Sequence, residues 1–159
     1  MTDITPTITA LRDPAAGKRI AAAFTLGKSK SPAAVAPLVQ SLADPVGKVR
    51  EESALALGRL GDPEAAPALI QAFDDPEPSV RMAAIAAIGR IRDPRATGAL
   101  IASLKDTDDR VRIGAAGVLG KLGDPRAIQP LGELAGDRFA GVREAAEEAL
   151  FRIRKRHRP

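Results

Sequence analysis

Every 31 residues along this chain an Asp recurs, at Asp13, Asp44, Asp75, Asp106 and Asp137, and six positions after each stands an Arg, at Arg19, Arg50, Arg81, Arg112 and Arg143. A fixed period of this length commits the chain to one supersecondary unit stacked on copies of itself, because a single unit cannot bury its own apolar face. The stretch from Asp62 to Ile91 shows what the unit is. Asp62 offers a carboxylate to the free amides of a first turn, and Pro63 follows where its missing N–H costs nothing. Asp75-Pro76 breaks the chain before a second apolar-periodic stretch, Val80 to Ile91. Leu60-Gly61-Asp62-Pro63 and Leu122-Gly123-Asp124-Pro125 each stop one helix with a glycine and start the next. The spacing predicts second helices over about 15–29, 46–60, 77–91, 108–122 and 139–156, and first helices over about 32–43, 63–74, 94–105 and 125–136. A shorter helix near Pro6–Arg12 completes the series. No strand-like alternation occurs. The expected fold is all-α, an α-α superhelix of about five two-helix repeats spanning 1–151 (about 1–30, 31–61, 62–92, 93–123 and 124–156), with a basic tail over 152–159.

Composition narrows the chemistry. The chain has no Cys, which removes disulfides, thiolate metal sites and Cys nucleophiles. Its single His, His157, lies in the tail and reads as solvated rather than catalytic or metal-bound. Neither a phosphate-cradling glycine motif nor a Ser/His/Asp constellation is present. No basic stretch followed by an apolar run marks a secretory signal, and no segment approaches the ~20 apolar residues of a membrane span. A cytoplasmic protein with no cofactor, no metal and no membrane partner is expected. The formal charge of +4 is local: Arg152, Arg154, Lys155, Arg156 and Arg158 lie in the last eight positions, and the remaining 19 basic residues face 20 acidic ones.

The pattern Asp-Pro-x-x-x-Val-Arg, then Ala-Leu-Gly-x-Leu-Gly-Asp-Pro, resembles the HEAT-like repeats of the phycobilisome-lyase type and is similar to the consensus of artificial proteins built from them. The first repeat departs from it, with Lys18 in place of Val and Lys28-Ser29-Lys30-Ser31 in place of Arg59-Leu60-Gly61-Asp62. The resemblance implies that the five Asp/Arg pairs form a ladder tying each repeat to its neighbour. The chemistry agrees, since an Asp at a helix start caps amides and an Arg beside it can pair and bond to carbonyls. Gly27, Gly58, Gly89 and Gly120 are expected to let neighbouring helices approach closely, and Phe151, in the same register, to belong to a C-terminal cap. The family includes scaffolds, lyase subunits and metal enzymes. Its deoxyhypusine hydroxylases hold iron through His-Glu pairs, which this sequence lacks.

A step of about 100° per residue separates the faces of each second helix. Val49, Ser53, Ala56, Leu57 and Leu60 form the predicted core arc of the second repeat. Lys48, Glu51, Glu52, Leu55 and Arg59 fall opposite, on the arc that in HEAT-type folds lines the concave surface. The equivalent positions are Ile20, Phe24 and Lys28, then Met82, Ala83, Ala86 and Arg90, then Arg110, Ile113, Gly117 and Lys121, and finally Glu144, Glu148 and Arg152. Ile20, Phe24, Leu55, Met82, Ala83, Ala86 and Ile113 make an apolar stripe suited to a helix or extended peptide of a protein partner. Lys28, Arg59, Arg90, Lys121 and Arg152 make a basic rim. With the tail, that rim could grip nucleic acid or an acidic partner, but cations at helix C-termini also offset the dipole, and the chain lacks Tyr and Trp for stacking on bases. The reading is a non-catalytic protein-binding scaffold. Nucleic-acid binding and a subunit of a phycobilin-lyase-like enzyme are the alternatives.

Overall fold

In the computed structural model, which describes residues 3–157, the regular structure of those residues is entirely helical. Helices α1 (Thr5–Ala10) and α2 (Ala16–Lys28) form the first repeat; α3 (Val35–Ser41) and α4 (Gly47–Leu60) form the second. The third comprises α5 (Ala66–Gln71) and α6 (Pro78–Ile91), the fourth α7 (Thr97–Ser103) and α8 (Asp109–Leu122), and the fifth α9 (Ile128–Glu133) and α10 (Ala140–Arg156).

Second helices lie within a residue or two of their predicted bounds. The first helices differ in kind: from the second repeat onward each opens with a 3-10 turn, Pro32–Ala34, Pro63–Ala65, Pro94–Ala96 and Pro125–Ala127, before the α-helix begins. Asp62, Asp93 and Asp124 cap the last three of these turns, whereas Ser31 before Pro32 makes no side-chain cap. Each carboxylate accepts from the amide two residues on, at 2.9 Å, and so folds the chain tightly around the proline. The alanine ending each turn, Ala34, Ala65, Ala96 and Ala127, is fully buried.

Gly61 and Gly123 end α4 and α8 in the left-handed conformation, at φ +69° and +78°, their amides bonding back to Leu57 and Leu119. One period earlier in each case stand Lys30 and Arg92, and both adopt the same conformation, at φ 55° and 60°. The turn is thus imposed by the stack even where the residue has a Cβ. Lys30→Gly and Arg92→Gly are each expected to raise unfolding stability by about 1 kcal/mol, read as a higher urea midpoint.

Helices α1–α6 belong to one compact body, Met1–Ile91, and α7–α10 to a second, Arg92–Pro159. In the first, α4 lies between α2 and α6, and Leu26, Leu38, Val49, Leu57, Leu69, Val80 and Ile88 are its fully buried core. In the second, α8 packs on α10, with Leu100, Val111, Leu119, Leu131, Val142 and Ile153 fully buried. Neighbouring second helices touch through glycine. A Cβ at Gly27 would stand 2.7 Å from the Ala56 Cα, at Gly58 2.8 Å from that of Ala87, and at Gly120 2.8 Å from that of Ala149. These separations exclude any side chain at the three positions.

Candidate protein-binding face

The ladder arginines are held on both sides. Nε and Nη2 of Arg19 donate to the Asp44 carboxylate at 2.7 and 2.9 Å, while Nη1 donates to the Asp13 carbonyl at 2.9 Å. Arg50 bonds Asp75 and the Asp44 carbonyl in the same way, and Arg112 bonds Asp137 and the Asp106 carbonyl. Each Arg therefore meets the backbone of its own repeat and the carboxylate of the next, not the carboxylate six residues before it. One oxygen of each Asp also accepts the amide two positions on, as Val46 gives to Asp44. The Arg19 fork, against the cost of burial, holds the Asp44 carboxyl below its usual range, and Arg112 does the same for Asp137. At Asp75 burial pushes upward, and the Arg50 fork with the Glu77 amide outweighs it. These side chains are occupied in holding the repeats together and are not available to a ligand.

The basic rim is partly spent inside the molecule. Arg59 pairs with Glu52 at 2.8 Å and Arg152 with Glu148 at 2.7 Å. Arginines of the rim also lie beside glycines: the Arg59 guanidinium Nη1 comes within 3.2 Å of a Cβ at Gly27, Arg90 Cδ within 3.5 Å at Gly58, and Arg152 Cδ within 3.6 Å at Gly120. At these three positions the arginine side chain packs beside the close helix contact that the glycine permits. Lys121 is exposed.

On the first body the predicted stripe reaches solvent unevenly. Phe24 is 44 % exposed, with Lys28 Nζ 4.8 Å and the Arg59 guanidinium 5.0 Å from its ring centre. Ile20, Leu55 and Met82 are half-buried and Ala86 is exposed. Ala83 is a correction: at 5 % exposure it is core, because it sits at the edge of the arc where α6 turns toward its neighbours. Lys48 pairs with Glu51 at 2.8 Å beside the stripe. On the second body Ile113 is half-buried and leans toward Gly141, its Cδ1 3.3 Å from where a Cβ there would stand. Gly117 is open, Glu144 and Glu148 are exposed, and Arg110 is engaged with Asp108, whose carboxyl it lowers to about 2.

The family model for HEAT repeats matches residues 4–79 and 66–150. The chain belongs to the HEAT-repeat family. Among solved structures it is similar to a chain of the CpcE–CpcF complex of phycocyanin lyase from Nostoc sp. PCC7120, at 26 % identity and TM-score 0.86, covering 98 % of this chain and 66 % of that one. A designed armadillo repeat protein in complex with the peptide (KR)4 matches at 19 % identity and TM-score 0.76, covering 94 % and 81 %. An engineered protein matches at 22 % and 0.70, covering 96 % and 80 %. The fold is thus of the α-α superhelix class. No curated protein sequence matches the chain.

In this HEAT-repeat chain the segment predicted as a basic tail is structured. Residues 152–156 continue α10, and Ile153 is fully buried against the second body's core. Arg156 Nη1 donates to the Lys121 and Leu122 carbonyls at 2.9 and 3.1 Å, and His157 Nε2 lies 2.9 Å from the Gly123 carbonyl. Instead of fraying, the last turn of α10 caps the C-terminal end of α8, where carbonyls lack helical partners. Arg154 and Lys155 remain exposed, and Arg158 lies outside the described residues. Among the described residues no three His, Asp or Glu side chains gather to hold a metal, and no helix is long and apolar enough to cross a membrane.

Proposed function

We propose that this HEAT-repeat protein is a non-catalytic scaffold that holds an amphipathic helix or extended peptide of a protein partner on the arc formed by α2, α4 and α6. The observation that carries this reading is the exposed Phe24, placed in one row with Leu55 and Ala86 on successive second helices and followed along the arc by Ile20 and Met82. An exposed aromatic between two cations, Lys28 and Arg59, suits an apolar anchor with an acidic neighbour. Peptides selected on the protein from a helix-display library are expected to lose about tenfold or more in affinity when Phe24→Glu is combined with Ala86→Arg, with the melting curve unchanged. Undiminished binding to that variant, or to Leu55→Glu with Met82→Glu, would overturn the reading.

The likeness to a phycocyanin-lyase chain favours a second reading, a subunit of a lyase-like assembly, although this chain spans only 66 % of that one. Retention of a bilin by purified protein, seen as visible absorbance, would support it. Nucleic-acid binding gains less support, since Arg59 and Arg152 are already paired with carboxylates.

A further inference from the structure

Helix α10 turns one face to α8, and among the described residues no helix packs against its opposite face. The repeat itself shows what that second face would otherwise carry. At the junctions above, the contact position is Gly27, Gly58 or Gly120; one period later stands Phe151, 60 % exposed. Leu26, Leu57, Ile88 and Leu119 are all fully buried, whereas their equivalent, Leu150, is only half-buried. Ala54, Ile85 and Ala116 are buried, whereas their equivalent, Glu147, is exposed. A helix stacked here in repeat register would run into the Phe151 ring and bury the Glu147 charge, so the face is unsuited to another HEAT helix.

What it does suit follows from the order of its charges. Glu147, Leu150, Phe151, Arg154 and Lys155 line one shallow cleft, and their spacing makes a single stripe along the helix. Acid stands at one end, the apolar pair in the middle and two bases at the other. Among the described residues, Glu147, Arg154 and Lys155 have no ion-pair partner. Such a stripe is complementary to itself turned end for end, which is the requirement of a two-fold interface.

We propose that this face of α10 pairs antiparallel with the same face of a second copy of the chain. Glu147 of each copy meets Arg154 and Lys155 of the other, and the Leu150 and Phe151 side chains interdigitate at the axis, where helices can cross at the ~8–10 Å spacing that large side chains require. The pairing is independent of peptide binding on the α2–α4–α6 arc.

Sedimentation equilibrium over roughly 5–500 µM is expected to show the mass rising toward twice that of the monomer, since one helical stripe is small beside the ~800 Å² per partner of a stable interface. Phe151→Ser should abolish the rise. Glu147→Lys should do so too, as should Arg154→Glu with Lys155→Glu. Mixing these last two proteins should restore a heterodimer, because each charge then meets its opposite. All the positions are exposed or half-exposed, and circular dichroism checks that helicity is kept. A wild-type chain monomeric at the highest concentration, a dimer indifferent to Phe151→Ser, or a mixture that stays monomeric would each overturn the proposal.

Discussion

Replacing Arg112 with Ala is expected to lower unfolding stability by about 3 kcal/mol, read as a reduced urea midpoint at unchanged slope. The side chain is 9 % exposed and makes three bonds, two to the Asp137 carboxylate at 2.9 and 3.1 Å and one to the Asp106 carbonyl at 2.7 Å. Its loss strands Asp137, itself 11 % exposed, with only the Phe139 amide. Arg112→Lys should recover less than half of the loss, because an ammonium cannot bridge both oxygens and the carbonyl in one plane. The same truncation at Arg126, whose side chain is 70 % exposed over Asp124, should leave the urea midpoint almost unmoved, because water screens the pair. Acid supplies a second check. Arg112 depresses the folded-state pKa of Asp137 below the ordinary 3.8, so the pair's contribution is complete above that value and is lost as pH falls through the depressed one. The gap between wild type and Arg112→Ala should therefore be constant above about pH 4 and close progressively below it.

Gly58→Val should cost about 3 kcal/mol, seen as a lowered melting midpoint, because two atoms of α6 stand where its side chain must go. The Ala87 Cα and Cβ lie 2.8 and 2.9 Å from the first added carbon alone, and a backbone atom cannot rotate out of the way. Gly117, within α8, makes the opposite case. Nothing lies within 4 Å of a Cβ there, so Gly117→Ala should stabilise by about 0.5–1 kcal/mol through helix propensity alone. Two glycines inside second helices thus answer in opposite directions, and the sign is set by what faces each one.

Those contrasts also mark what the sequence could reveal. Positions that recur, the Asp/Arg register and the contact glycines, could be recognised because five copies of one environment repeat one chemical need. The direction of the ladder could not, since a period of 31 does not distinguish an Asp in the same repeat from one in the next. Lys30 and Arg92 hid their left-handed turns because the usual signal for that conformation is glycine, and here packing overrides it. Ala83 fell on the wrong side of the arc because a 100° step leaves its edges undecided by a residue. The clamp of Arg156 and His157 onto the end of α8 occurs once, so no comparison among repeats could expose it.

The bonds that join one repeat to the next share a further property. Arg19–Asp44, Arg50–Asp75 and Arg112–Asp137 each span 25 residues of chain, and the clamp of α10 on α8 spans 34 or 35. Loop closure therefore costs the same at every rung, and lengthening such an array adds contacts without adding longer-range ones. Relative contact order falls as repeats accumulate, so folding can begin at any pair of repeats and spread to its neighbours at the pace of local helix docking.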